Sequence, residues 1–391
     1  MNAMRLLTTH AGSLPRPKTL VHLLAAQARG EAVDPAALET KIESATGQVV
    51  AKQIESGVDI VNDGEVGRES FFTYVRHRMT GFAGQGTRMP MRDIVMYQSF
   101  LHYLLRITAA SESVSLLAPP QAVGAVAYRD ASAITAECER LRRHLAASAA
   151  KPAAAFMTAR SPGIIAAAME NKHYPTLGDY VDAVGTALAV EYRTIVDHGF
   201  TLQIDAPDLA MERHTLFADK PLPEFLSFAK AVVAAINRAI EGLSRERIRL
   251  HVCWGNYNGP HECDEPIENL WPVIEGARVG AFVISLANPR HEHEVDFFKG
   301  DRLPRNATLI AGAIDTTTNY VEHPHVVARR LVRAVEAVGD PTRVVAGTDC
   351  GFETSAGYVM IPEEVVWAKL RALRDGARLA SQRVFGRAAG A

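Results

Sequence analysis

The amino-acid sequence predicts an α/β fold of the (β/α)8, or TIM barrel, type in a single domain. Three features point to it. Eight apolar, strand-like runs recur along the 391 residues, and most lead through a loop into an amphipathic helical pattern. Nearly every run ends in polar or reactive residues, at His10, Asp63, Thr158, Asp205, Cys253, Ser285, Asp315 and Asp349. No linker or low-complexity stretch divides the chain. A doubly wound open sheet is the other architecture for such a series, but it leaves the reactive strand ends without a reason, whereas barrel active sites are built at the carboxyl ends of the strands.

The first run, residues 5–10, breaks into the loop Ala11-Gly12-Ser13-Leu14-Pro15-Arg16-Pro17. An amphipathic helix over 35–55 stops at Ser56-Gly57, and a strand over 58–61 ends in Asn62-Asp63-Gly64-Glu65. Residues from about 68 to 130 depart from the rhythm. They are rich in bulky side chains such as Phe71, Phe72 and Tyr74, include an expected strand over 121–128, and read as an excursion between the second and third strands. Alternation then resumes: helix 132–149, strand 153–158, helix 179–198, strand 201–205, helix 222–241, strand 247–253, helix 267–275, strand 280–286, helix 292–298, strand 307–314, helix 323–338, strand 343–347. A last helix over 362–381 leads into a Gly/Ala-rich tail.

Composition narrows the function. Lys and Arg number 42 against 44 Asp and Glu, a net charge of −2, so there is no electrostatic footprint for nucleic acid. No uncharged apolar run is long enough to span a bilayer, and residues 1–16 lack a signal-peptide core. The four scattered cysteines are too few for a disulfide framework. A cytoplasmic protein acting on small molecules is expected, and either a monomer or a homo-oligomer fits that expectation.

The chemistry concentrates at two strand ends. His251 and Cys253 are two residues apart, so on a strand both leave the same face, and an imidazole with a thiol suits Zn2+. A lone pair of this kind is ordinarily a hydrogen-bonded histidine and a small buried hydrophobe. Cys350, in Thr348-Asp349-Cys350-Gly351 at the end of another strand, supplies a second sulfur. Three protein ligands leave an open position, as in catalytic zinc sites, and two thiolates favour activation of a thiol over activation of water. Cys263 shares a loop with His261 but lacks zinc-knuckle spacing, and Cys138 sits mid-helix. His291-Glu292-His293-Glu294 reads either as metal ligands or as a helix start favoured by the macrodipole. Asp63, Glu65, Asp205, Asp315 and Asp349 ring the expected barrel mouth as ligands, proton acceptors or loop anchors. Arg16, Arg68, Arg160 and Arg290 follow strand ends and suit either anion binding or ion pairs with these carboxylates.

Thr8-Thr9-His10-Ala11-Gly12-Ser13-Leu14-Pro15-Arg16, Asp63-Gly64-Glu65, Ile204-Asp205-Ala206-Pro207, His251-Val252-Cys253 and Asp349-Cys350-Gly351 occur in that order over nearly the whole chain. As an ordered set they resemble the catalytic barrel of the cobalamin-independent methionine synthase family. The resemblance implies a zinc held by His251, Cys253 and Cys350, alkyl transfer to a zinc-bound thiolate, and Ser13 and Asp205 as binders of the homocysteine backbone. Ser13, Arg16, Asp63, Thr73 and Asp205 form the expected substrate-binding set, with Asp205, Asp315 and Glu65 as expected catalytic carboxylates. Two departures stand out: Ile284-Ser285-Leu286-Ala287 has no carboxylate where the family has a further zinc-ligating glutamate, and Thr73 stands where it has a second homocysteine-binding glutamate.

The expected function is therefore zinc-dependent transfer of a methyl or alkyl group from a small-molecule donor to a small-molecule thiol. The missing glutamate resembles epoxyalkane:coenzyme M transferases, in which a small thiol adds to an epoxide. Two further classes are a metal-free decarboxylase of porphyrin-like substrates and a barrel that binds thiol or metal without turnover.

Overall fold

The computed structural model describes residues 4–108 and 113–386; most of the Gly/Ala-rich tail lies outside them. Seven strands form one parallel sheet. They are β1 (Ile60–Val61), β4 (Ala154–Arg160), β5 (Thr201–Asp205), β6 (Ile248–Val252), β7 (Ala281–Ile284), β8 (Thr308–Ile314) and β9 (Val344–Thr348), hydrogen-bonded in that order. The two intervening strands, β2 (Phe82–Ala83) and β3 (Gln121–Ala122), make a separate antiparallel pair.

The run expected as a first strand does not join the sheet as a ladder. Thr8 and Thr9 instead make single parallel bridges, to Ala346 on β9 and to Ile60 on β1. Backbone bonds accompany them: Thr9 N–H to the Ala346 carbonyl at 2.9 Å, Ala346 N–H to Leu7 at 2.8 Å, and Ile60 N–H to Thr8 at 2.9 Å. Residues 7–9 thus lie between the two outer strands of the sheet.

The strands are buried on both faces, which is why their apolar runs are nearly continuous. Helices cover the outside, and local chemistry sets their starts. Asp34 caps Pro35–Glu55, Ser161 caps Pro162–Ala168, and Thr176 caps Leu177–Asp197, each accepting a backbone N–H of the first turn. Helix Pro324–Val338 ends at Gly339, whose φ of 79° closes the turn.

Several expectations change. Helix Lys18–Ala28 follows the 11–17 loop in a stretch for which no element is expected, and Pro162–Ala168 adds a short helix after β4. The strand expected over 121–128 pairs only at Gln121–Ala122, and the helix expected over 292–298 is a 3-10 turn. The excursion carries helices Val75–Arg78, Arg92–Met96 and Gln98–Thr108. A buried ion cluster ties it down: Arg68 and Arg78 both bind Glu137, Arg78 lies 3.3 Å from Glu191, and the Tyr74 and Tyr128 hydroxyls each donate to Glu191 at 2.6 Å.

Candidate functional site

Strand register builds the site. Arg160 at the end of β4 pairs in register with Asp205 on β5, and Asp205 with His251 on β6. Residues paired across parallel strands face the same way, so guanidinium, carboxylate and imidazole form a row at one rim of the sheet. Asp205 Oδ1 accepts from His251 Nδ1 at 2.9 Å and from Gln203 Nε2 at 2.6 Å, while Oδ2 accepts from Arg160. Burial opposes ionisation of Asp205, but Arg160 and His251 hold it below the usual carboxylate range.

Cys253 follows β6 and Cys350 follows β9. The ligating atoms of His251, Cys253 and Cys350 all lie within 4.8 Å of one another, and the three residues are buried, so the trio could hold a metal ion. Cys350 donates a hydrogen bond to Cys253; that bond and His251 pull the Cys253 thiol well below its usual range and push Cys350 well above. Burial disfavours the charged form of His251, but the Cys253 sulfur and the Asp205 carboxylate raise it to about 10. The side chains thus keep negative charge on sulfur and positive charge on the imidazole in a buried setting.

Asp349 faces the other way. Its carboxylate accepts from the backbone N–H groups of Leu286, Ala287 and Asn288 at 2.8–3.2 Å, fixing the loop after β7. Burial and Asp315 raise it to about 7 against those amides. The same bonds place Ser285, whose hydroxyl donates to the Asp349 carbonyl at 2.8 Å beside Cys350. Ser285 therefore stands next to the Cys350 sulfur, within the 284–287 segment that carries no carboxylate.

The other candidate residues have definite partners. Glu65, in a left-handed conformation at φ 56°, accepts from Thr158 at 2.8 Å and pairs with Arg160 at 2.7 Å. Asp63 Oδ1 accepts the Glu65 N–H, and burial raises Asp63 to about 6. Arg16 is buried and donates to the carbonyls of Glu353 and Glu65 at 2.7 and 2.8 Å. Ser13 packs on Gly351 so closely that a Cβ there would lie 2.2 Å from its hydroxyl. Thr73 donates to Glu69 at 2.7 Å. Asp315 accepts from Thr317 at 2.8 Å, and Arg290 donates to the His261 carbonyl. Cys263 lies beside Met96, away from the other sulfurs, and Cys138 is buried mid-helix.

A small cleft opens over the rim, lined by Cys350, Ser285, Asp315, Asn256, His261 and His291. The meeting of His261 and His291 in this lining is only partly legible in the sequence. Asp264 brings His261 and His291 together, and the one cue to it is the 261–264 spacing in His-Glu-Cys-Asp.

No protein-family model matches the chain. Methionine synthase of Sulfolobus acidocaldarius is 24% identical over 364 residues, covering 93% of this chain and 88% of that protein. A 2-hydroxypropyl-CoM lyase of Xanthobacter autotrophicus is 23% identical, covering 95% and 94%. Both relatives are named as enzymes. In three dimensions, a B12-independent methionine synthase from Shewanella superposes with a TM-score of 0.74 at 20% identity, over 98% of this chain and 100% of the other. Among the described residues no helix is long and apolar enough to cross a membrane. Along nearly its whole length, then, the chain is similar to methionine synthases and to 2-hydroxypropyl-CoM lyase, as its ordered motifs led us to expect.

Proposed function

We propose that the protein is a zinc-dependent thiol alkyltransferase of methionine synthase type, with His251, Cys253 and Cys350 as the zinc ligands. The observation that carries this reading is the convergence of one imidazole nitrogen and two sulfurs within 4.8 Å. The donors fit Zn2+, which takes nitrogen and thiolate sulfur in a tetrahedron. The Asp205 carboxylate on His251 Nδ1 at 2.9 Å is the kind of partner that fixes the orientation of metal-bound histidines, and Nε2 lies 3.1 Å from the Asp349 carbonyl, next to Cys350. Zinc at these residues would lower the pKa of a thiol entering the open position and hold it as the nucleophile.

The chain's own residues supply the rest. Arg160 and Gln203 hold Asp205 ionised, Asp205 orients His251, and Ser285 and the Asn256 amide line the approach to Cys350 without adding charge. Asp205, Asp315 and Glu65 are the carboxylates proposed to receive the thiol proton, and Ser13, Arg16, Asp63, Thr73 and Asp205 to shape the acceptor site. We read the chain as one cytoplasmic barrel domain over residues 1–391, closed by residues 7–9, with an insertion at about 68–130.

One observation favours an acceptor without an amino group. Arg160 binds Asp205 and also Glu65, so a buried guanidinium already occupies both carboxylates that would take a substrate ammonium. A small thiol such as coenzyme M, alkylated by an epoxide or another carbon electrophile, suits this arrangement better than homocysteine. The test is zinc-edge absorption spectroscopy of the zinc-loaded protein with a thiol panel. Only a true acceptor should add a sulfur to the metal's shell, and a panel in which homocysteine alone does so would reverse the preference.

A further inference from the structure

We infer that the cleft borders a second metal site, in which His261, Asp264 and His291 bind a divalent transition-metal ion through nitrogen and oxygen. The three ligating atoms lie within 4.8 Å of one another, and no sulfur takes part. The inference does not depend on zinc at the cysteines.

Hydrogen-bond accounting leads to it. His261 Nε2 lies 3.0 Å from the Tyr257 carbonyl, which can only accept, so Nε2 carries a proton. A neutral His261 then turns the lone pair of Nδ1 toward Asp264 Oδ2 at 2.8 Å. His291 has a carboxylate at each nitrogen: Glu294 Oε2 is 3.0 Å from Nδ1, and the same Asp264 Oδ2 is 2.8 Å from Nε2. With Nδ1–H donated to Glu294, its Nε2 lone pair also meets Asp264. Three lone pairs therefore converge on one buried point, which needs either two protons, one on each imidazole, or one divalent cation. The two solutions carry the same charge.

The surroundings favour the cation. Each histidine has its remote nitrogen fixed by an acceptor, a carbonyl for His261 and a carboxylate for His291, as metal-ligating histidines do. Trp254 stacks on the His291 ring at 3.8 Å and 16° and fixes its plane. Further polar atoms beside the trio lack partners. Among the described residues, Asp264 Oδ1 and both nitrogens of buried His214 have no hydrogen-bond partner, although His214 Nε2 is only 3.3 Å from Asp264 Oδ1. His214 Nδ1 likewise stands 3.7 Å from Asp93, whose other oxygen accepts from the Tyr257 hydroxyl. Two imidazoles and one carboxylate suit Fe2+, Co2+, Mn2+ or Zn2+, without the thiolates that favour softer ions. His261 and His291 line the same cleft as Cys350, so a metal there would face the same space as that sulfur.

The test is titration of the metal-stripped full-length protein with Co2+, read by absorption and by proton release in weak buffer. The wild-type chain should bind two equivalents, one with a sulfur-to-cobalt charge-transfer band and one without. Filling the second site should release about two protons, one from each imidazole. Asp264→Asn and His291→Gln should each abolish the band-free equivalent while keeping the band, and the retained band reports that the variant is folded. Cys253→Ser with Cys350→Ser should do the reverse. A single equivalent with the sulfur band, or a second equivalent indifferent to both Asp264→Asn and His291→Gln, would overturn this inference and leave the proposed function standing. Loss of the sulfur band alone would count against the proposed function and not against this site.

Discussion

At the scale of residues, the site is a chain of orientation from Arg160 through Asp205 to His251. Asp205→Asn keeps the shape but offers His251 Nδ1 an amide of ambiguous polarity in place of a carboxylate. Metal affinity at the cysteine site should fall by about 10- to 100-fold, as for other partners of metal-bound histidines, measured by competition with a chromophoric chelator. Unchanged affinity would show that the 2.9 Å contact does not orient the ligand. The sulfurs and the imidazole were legible in the sequence because each ends an apolar run, and period-two geometry puts residues 251 and 253 on one face. Arg160 as partner of Asp205 was not legible: the pairing depends on register between strands 45 residues apart, which no local pattern records. The meeting of His261 with His291 was hidden for the same reason, since Asp264 joins two different loops.

At the scale of elements, the excursion over about 68–130 is held by buried charge. Glu191 on helix Leu177–Asp197 receives the Tyr74 and Tyr128 hydroxyls and faces Arg78. Glu191→Ala leaves that guanidinium short of a partner, and breaking a buried pair in this way costs about 3–5 kcal/mol. Urea unfolding should show that loss, and a change under 1 kcal/mol (about a fivefold shift in the folding equilibrium) would place the anchor elsewhere. The excursion was recognisable by its aromatics and its broken rhythm. Its strand was overdrawn because apolar alternation over 121–128 cannot say how long a partner is available, and Phe82–Ala83 offers two residues. Helix Lys18–Ala28 escaped because it begins after Pro17 without a capping side chain, although Leu20, Val21, Leu24 and Ala25 make one buried face.

At the scale of the whole molecule, buried ion pairs set the acid limit of stability. Burial opposes ionisation of Glu137, but Arg68 and Arg78 hold it down at about 2. Because the folded value is depressed, the stabilisation is complete above the carboxyl's ordinary range near 4.5 and is lost as pH falls toward 2. Glu137→Gln should therefore be less stable than wild type at pH 6, with the gap closing as pH drops to about 2. Denaturant midpoints across that interval check it, and a gap independent of pH would mean that the carboxylate's charge is not what binds the excursion to helix Ser132–Ala147. The eightfold βα rhythm was readable in the chain, and seven of its strands form one parallel sheet. The first run differs because residues 7–9 reach both outer strands through only a few backbone bonds.

The zinc proposal is tested most directly by metal analysis of the purified protein beside Cys350→Ser, with zinc-edge absorption on the wild type. We predict about one zinc bound to two sulfurs at about 2.3 Å and an imidazole nitrogen at about 2.0 Å, with that sulfur-bound zinc lost in Cys350→Ser. Absence of any sulfur-bound zinc, or a sulfur-bound zinc content that ignores the substitution, would contradict it.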